Sequence, residues 1–252
     1  MSLLTIENVN FKYAGSCDPS LKNINLNLES NSLNVVIGPS GIGKTTLLNL
    51  IAGYDHPSTG QIKMAGKAID QPDWQRGMVF QDMALFPWLT VADNILFGPK
   101  MRHLNDPEIQ DRLARLLAQT GLTDYRDAAI YELSGGLKQR VALAREFINQ
   151  PPILMLDESF SALDNATRSD MHDILLNLWE TTQNCVIAIT HDIDEALFLG
   201  QNIIVINQHP GTIVSVEANP YFKKDISDLS GEPAYGAFRR RLLGLIGKPN
   251  NR

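Results

Sequence analysis

The spacing of apolar positions changes several times along the chain, and each change marks an element. Between Leu4 and Leu28 the apolar residues alternate: Leu4 and Ile6, then Val9, Phe11 and Tyr13, then Ile24, Leu26 and Leu28. Period two predicts antiparallel strands with one covered face, punctuated by Pro19 and the Asn/Ser cluster at 30–32. The pattern then becomes continuous. Leu33-Asn34-Val35-Val36-Ile37, Ile153-Leu154-Met155-Leu156 and Cys185-Val186-Ile187-Ala188-Ile189-Thr190 read as buried strands, the second as a parallel strand covered on both faces. Shorter strands are predicted at Gln61–Met64 and Gly77–Phe80, with turns at Pro57–Gly60 and Gly66. Ile203–Ile206 and Ile213–Val216 close the pattern around Pro210-Gly211.

Helical spacing fills the intervals. Thr46–Ala52 reads as a helix. Thr90 with Asp93 forms a capping box for a short helix reaching Leu96. Asp106-Pro107 opens a helix with Ile109, Leu113, Leu116 and Leu117 on one face, stopped by Gly121. Leu133-Ser134-Gly135-Gly136 opens another, carrying Leu137, Val141, Ala144 and Ile148. Residues 82–150 are therefore expected to form an inserted helical lobe between strand-rich segments. Met171, Ile174, Leu175 and Leu178 line a later helix. Phe238, Leu242, Leu245 and Ile246 predict an amphipathic terminal helix whose Arg239, Arg240 and Arg241 form a solvated basic face.

The chemistry centres on Gly38-Pro39-Ser40-Gly41-Ile42-Gly43-Lys44-Thr45, which fits G-x-x-x-x-G-K-[ST] at every fixed position. A buried strand precedes it and a helix follows. Glycines let backbone N–H groups wrap a polyphosphate, and the positive end of the helix points at the anion. Lys44 adds a charge near the outer phosphates, and Thr45 can hold Mg2+. Asp157-Glu158 ends a buried strand, and two carboxylates there need partners such as Mg2+ and an attacking water. His191 ends another strand. Ligands of open α/β sheets sit beyond the carboxyl ends of strands, so the loop, the carboxylate pair and the histidine are expected at one edge. Gln81, also at a strand end, can orient a water or contact Mg2+, although as an isolated residue it reads as an ordinary loop glutamine. Tyr13 offers either an edge aromatic in a small core or a flat surface for a purine base, and position alone favours the structural role.

Composition narrows the possibilities. The 252 residues carry a net charge of −6, which argues against a nucleic-acid partner, since that needs a basic face. No apolar run approaches the roughly 18 residues of a membrane span, and residues 1–7 lack the layout of a signal peptide. Cys17 and Cys185 read as free thiols, and the five histidines form no cluster that predicts a transition-metal site.

Taken in order, these motifs resemble the ATP-binding subunit of ABC transporters over roughly residues 3–216. Leu133-Ser134-Gly135-Gly136, lying between the phosphate loop and Asp157-Glu158, is the most specific of them. The resemblance implies an α/β fold: a P-loop NTPase core with a mainly parallel sheet, an N-terminal antiparallel β subdomain and the helical lobe. It implies an ATP-binding domain over 1–219 and a short helical tail over 220–252. It also implies roles. Tyr13 would stack on adenine, reversing the preference from position. Gly38, Pro39, Ser40, Gly41, Ile42, Gly43, Lys44, Thr45 and Thr46 would hold the triphosphate of ATP. Thr45, Gln81 and Asp157 would hold Mg2+. Glu158 would be the general base, with Gln81, His191 and Lys44 also catalytic. Ser134, Gly135 and Gly136 would bind the γ-phosphate held by a second copy, with Asp164 at that interface. One helix N-terminus per chain with two glycines is a second anion site, and a two-fold homodimer, or an equivalent second ATPase subunit, would use both.

Phe86-Pro87-Trp88, Asn94, Leu175–Trp179 and Thr190–Ala196 resemble the nitrate/sulfonate/taurine branch of importers, the taurine type above all. That implies a permease contacted through Phe86–Trp88, a separate substrate-binding protein, and a location at the cytoplasmic face of the inner membrane. Importers of thiamine-precursor pyrimidines or bicarbonate share much of the pattern. A soluble ATPase of cofactor assembly uses the same motifs, and DNA-repair ATPases add coiled-coil or zinc insertions that this chain lacks. Three positions depart from the family: Leu137 where Gln is usual, Ile42 where Cys is common, and Ser159 where Pro is common.

Overall fold

The computed structural model describes residues 2–104, 106–225, 229 and 231–247. The chain divides into two compact units, one of residues 1–73 with 185–252, the other of residues 74–184.

In the first unit, β1 (Ser2–Phe11) lies between β2 (Leu21–Glu29) and β4 (Thr59–Met64), and β5 (Lys67–Ala68) extends the same antiparallel sheet. Leu4, Ile6, Val9 and Phe11 are buried. The change of phase between Ile6 and Val9 is a bulge, with Asn8 in left-handed backbone at φ 50°. Gly60 belongs to β4 and not to a turn. A Cβ there would lie 2.4 Å from the Asn8 carbonyl oxygen, so only glycine lets the strand close on the bulge. Beside this sheet, β3 (Leu33–Ile37) runs parallel to β8 (Cys185–Ile189) and β9 (Asn202–Asn207), and β10 (Thr212–Ala218) pairs antiparallel with β9. All five residues of β3 and of β8 are buried, as continuous apolar runs require. Among the described residues this unit also holds helices α1 (Lys44–Ala52) and α7 (Ile193–Leu199), with α8 (Pro233–Ile246) toward the C-terminus.

The terminal helix corrects one expectation. Its arginines are not all solvated: Arg239 makes a bidentate ion pair with Asp194 of α7, at 2.7 and 3.0 Å, and Arg241 pairs with Glu217 of β10. Tyr235 adds a hydrogen bond to Asp194 at 3.2 Å. Tyr235 and Leu242 are the buried anchors, while Leu245 and Ile246 are half-buried. The tail anticipated over 220–252 includes residues 226–228, 230 and 248–252, which lie outside the described residues.

In the second unit, β6 (Arg76–Val79) and β7 (Ile153–Asp157) are a parallel pair. The helices are α2 (Val91–Ile95), α3 (Phe97–Met101), α4 (Pro107–Gln119), α5 (Gly135–Phe147) and α6 (Asn165–Thr182), with single 3-10 turns at Thr123–Tyr125 and Ile130–Glu132. The anticipated caps form. Thr90 accepts from the Asp93 N–H, Asp106 from Glu108 and Ser134 from Leu137. The buried face of α6 is wider than predicted, because His172, Leu176 and Trp179 are buried too, while Ile174 is only half-buried.

Glu146 of α5 packs against the start of this strand pair. A Cβ on Gly77 would meet its Oε2 at 2.9 Å. Burial pushes its carboxyl up to about 7, outweighing the Arg145 guanidinium and the Met78 N–H that favour the charged form. Between its ordinary 4.5 and about 7, the folded chain therefore keeps a proton that the unfolded chain releases. Stability from this group is complete below that window and falls as pH rises through it. Glu146→Gln should flatten urea-measured stability over that range, gaining about 1–3 kcal/mol at pH 8 relative to pH 5. An unchanged pH slope would contradict the assignment.

Candidate nucleotide site

The phosphate loop joins β3 to α1. Two of its glycines are sterically required. A Cβ on Gly38 would lie 2.2 Å from the Ile206 carbonyl oxygen, and Gly43, at φ 103°, would drive one to 2.7 Å from Leu21. Gly43 caps α1 without a side-chain hydrogen bond, and no acidic residue stands in the first turn. The positive end of such a helix is suited to an anion. Lys44 is 5% exposed, and its Nζ donates to the carbonyls of Gly38 and Pro39 at 3.0 and 3.1 Å. The ammonium is held across the loop's own backbone. Ile42 is buried beneath the loop and takes the apolar place of the family's cysteine.

Tyr13 lies just beyond β1. Its edge packs on Phe11 at 4.7 Å with planes 86° apart, its hydroxyl is 2.9 Å from Thr46 Oγ1, and the side chain stays 43% exposed. Both readings of this tyrosine keep a physical basis: it packs on a core residue and keeps an open surface beside the loop. In β3 and β8, Val36 is opposite Ile189, so Gly38 and His191 leave one edge of the parallel strands. The strand stops at Ile189, two residues short of His191, and Thr190 turns the chain by accepting from the Asp192 N–H and donating to Glu195.

The second unit gathers two further groups. Val79 lies opposite Leu156 in β6 and β7, so Gln81 and Asp157-Glu158 also leave a common edge. Asp157 is nearly buried and Gln81 exposed. Glu158 has φ 46°, a left-handed conformation that costs a non-glycine residue about 1–3 kcal/mol and clusters at functional sites. Ser161 holds that backbone by donating its N–H and hydroxyl to the Glu158 carbonyl at 3.1 and 2.8 Å. Ser159, where the family often has proline, donates to the Val79 carbonyl at 3.0 Å and ties the two strand ends together.

The last group surrounds the start of α5. Ser134 and Gly135 are exposed, and a Cβ on Gly135 would meet nothing within 4 Å, whereas one on Gly136 would press on Thr167 at 2.7 Å. Asp164 caps α6 through the Thr167 N–H and hydroxyl, at 3.0 and 2.7 Å, and these bonds hold its carboxyl below the usual range. Ser134, Gly135, Gly136, Leu137, Arg140 and Asp164 share one open depression of about 540 Å³. Sequence motifs 28 residues apart are thus brought together in one place.

Trp88 is 76% exposed, with Phe86 against it at 5.6 Å. The buried Asn94 fixes this aromatic corner, accepting from the Phe86 N–H at 2.9 Å and donating to the Phe86 and Thr90 carbonyls at 3.1 and 2.9 Å. Sequence reasoning does not reach Arg145, whose guanidinium binds the segment between Gln81 and Phe86. Its one sequence signal is a charge set beside the apolar positions Val141, Ala144 and Ile148.

Comparison with known proteins agrees with these features. Residues 21–161 match the ABC transporter family. The taurine import ATP-binding protein TauB of Ruegeria pomeroyi is 42% identical, over 98% of this chain and 94% of that one. Its counterpart from Pseudomonas syringae pv. tomato is 45% identical over 84% and 82%. Among solved structures, cbiO1 from Clostridium perfringens, part of the ABC transporter complex cbiONQ, superposes with a TM-score of 0.80 at 28% identity, covering 97% of each chain. The dimeric ATP-binding cassette MJ0796, in a post-hydrolysis state bound to ADP and Pi, gives 0.74 at 30% identity over 87% of this chain and 100% of that one. The phosphate loop, the mixed α/β architecture and this likeness over nearly the whole length lead to one conclusion: the chain belongs to the ABC transporter family and is one of its ATP-binding subunits, an ATPase.

Proposed function

We propose that this ATPase drives an importer of taurine or a related small anion such as another sulfonate or nitrate. The observation that carries the reading is the 42% identity to a taurine import ATP-binding protein over 98% of the chain. The exposed Trp88 on its Asn94-locked corner supports a docking role, as an aromatic anchor for a permease. Among the described residues no helix is long and apolar enough to cross a membrane, so the chain would reach the cytoplasmic face of the membrane through that permease. A separate substrate-binding protein would deliver the cargo.

In this reading Tyr13 stacks on adenine, and residues 38–46 hold the triphosphate. Glu158 polarises the attacking water, Gln81 orients it and His191 contacts the γ-phosphate. Positioning and electrostatics supply most of the catalysis in such phosphoryl transfer. Mg2+, when bound, neutralises charge on the phosphate oxygens, and Thr45, Gln81 and Asp157 would hold it. By chemistry a hydroxyl, an amide oxygen and one carboxylate suit Mg2+, which typically takes one or two carboxylates together with substrate phosphates. Ser134, Gly135 and Gly136 bind the γ-phosphate of ATP on a second copy, with Asp164 beside them.

Uptake by the native host with the gene deleted tests the cargo. Labelled taurine, another alkanesulfonate, nitrate, bicarbonate and a thiamine-precursor pyrimidine would be compared. Taurine uptake should fall to background and return with the wild-type gene but not with Glu158→Gln. Loss confined to the pyrimidine or bicarbonate would reassign the cargo. Unchanged uptake of all five would favour a soluble assembly ATPase.

A further inference from the structure

Gln81 and Trp88 lie at the two ends of one segment, and the backbone between them is strained. Met83 and Ala84 are consecutive non-glycine residues at φ 58° and 47°, a region that L side chains rarely adopt. The Ala84 N–H donates to the Asp82 carbonyl at 2.6 Å, closing a tight three-residue turn around Met83. One side chain holds both strained residues. Arg145, 9% exposed in the last turn of α5, donates Nη2 to the Met83 carbonyl at 2.9 Å and Nη1 to the Ala84 carbonyl at 2.6 Å. Its guanidinium also lies 5.9 Å from the centre of the Phe86 ring, and Nε is 3.6 Å from Glu146. Arg145 meets the two carbonyls through two separate nitrogens of one rigid planar fork, a geometry that the single nitrogen of a lysine does not reproduce at this site.

We propose that Arg145 is a positioning residue: it clamps the left-handed turn at Met83-Ala84 and thereby sets Gln81 for hydrolysis and Trp88 for docking. The inference rests on the roles proposed for those two residues. It also gives α5 a mechanical task. The helix spans 13 residues, about 20 Å, with Ser134-Gly135-Gly136 at one end and Arg145 at the other. A phosphate seated at its N-terminus and the Gln81–Trp88 segment are then connected through one rigid element.

The test uses the full chain and separates positioning from folding. Arg145→Lys keeps the charge but not the fork, and it should lower kcat roughly 10- to 100-fold while ATP affinity and the melting temperature stay close to wild type. Ala84→Gly relieves the left-handed strain and, added to Arg145→Lys, should restore kcat several-fold. Ala84→Val opposes the same conformation and should reproduce the kcat loss with Arg145 intact, so the proposal stays testable if Arg145→Lys misfolds. Normal kcat in both Arg145→Lys and Ala84→Val overturns the clamp, as does a loss that glycine fails to rescue. Full kcat in Gln81→Ala overturns the reading of Gln81 on which the clamp depends. Impaired Gln81→Ala beside normal Arg145→Lys and Ala84→Val overturns the clamp alone.

Discussion

Replacing Glu158 by Gln is expected to lower ATP turnover roughly 10²- to 10⁴-fold, the usual contribution of a positioned general base. The change keeps the volume, the backbone cost at φ 46° and one carbonyl acceptor, and replaces the charged oxygen that can take a proton by a neutral NH2 that cannot. Ser161 still binds the Glu158 carbonyl through backbone oxygen, so the local turn survives. ATP affinity should therefore stay near wild type, and the ATP-bound state should accumulate because the step that dissipates it is slow. Phosphate release measured beside equilibrium ATP binding separates the two effects. Near-normal turnover in this variant would remove Glu158 from the chemistry.

Lys44→Ala should act on the other side of that division. The ammonium lies nearly buried across the Gly38 and Pro39 carbonyls, already placed where the outer phosphates are proposed to lie. Its loss removes charge-assisted hydrogen bonds of about 1.5–3 kcal/mol each, so ATP affinity should fall by roughly 30- to 1000-fold. The fold should persist, since α1 is anchored by the buried Leu47, Leu48, Leu50 and Ile51. Calorimetric titration with ATP and a thermal melt check both halves of the expectation. Unchanged affinity would contradict the role of the loop.

Much of this organisation is legible in the sequence, because strands and caps are local. The buried runs at Leu33–Ile37, Ile153–Asp157 and Cys185–Ile189 carry their own pattern, and Ser134, Thr90 and Asp106 cap the helices that the spacing predicts. The phosphate loop is legible for the same reason: strand, glycines and helix are contiguous. What escapes depends on partners far along the chain. Arg145 binds carbonyls 61 and 62 residues away, and those carbonyls leave no trace in residue type. Asp194 and Arg239, 45 residues apart, tie the terminal helix to α7, while the sequence shows only a basic cluster. The left-handed backbone of Glu158, Met83 and Ala84 is invisible because none is glycine. Gly60 misleads in the opposite sense: a turn-forming residue serves in a strand because β1 bulges opposite it.

In the proposed arrangement each ATP is enclosed by two copies, the phosphate loop of one and Ser134-Gly135-Gly136 of the other. Gly135→Asp isolates it. A side chain there meets nothing within 4 Å, and an acidic residue in the first turn favours the helix, so folding is untouched while an anion is repelled. The measurement is the solution mass of Glu158→Gln, with and without Gly135→Asp, in ATP with Mg2+ and in ADP. The shared site requires twice the chain mass of 28.0 kDa for Glu158→Gln in ATP, the single mass in ADP, and the single mass in both nucleotides once Gly135→Asp is added. A dimer that forms regardless of Gly135→Asp, or none in ATP, would contradict it.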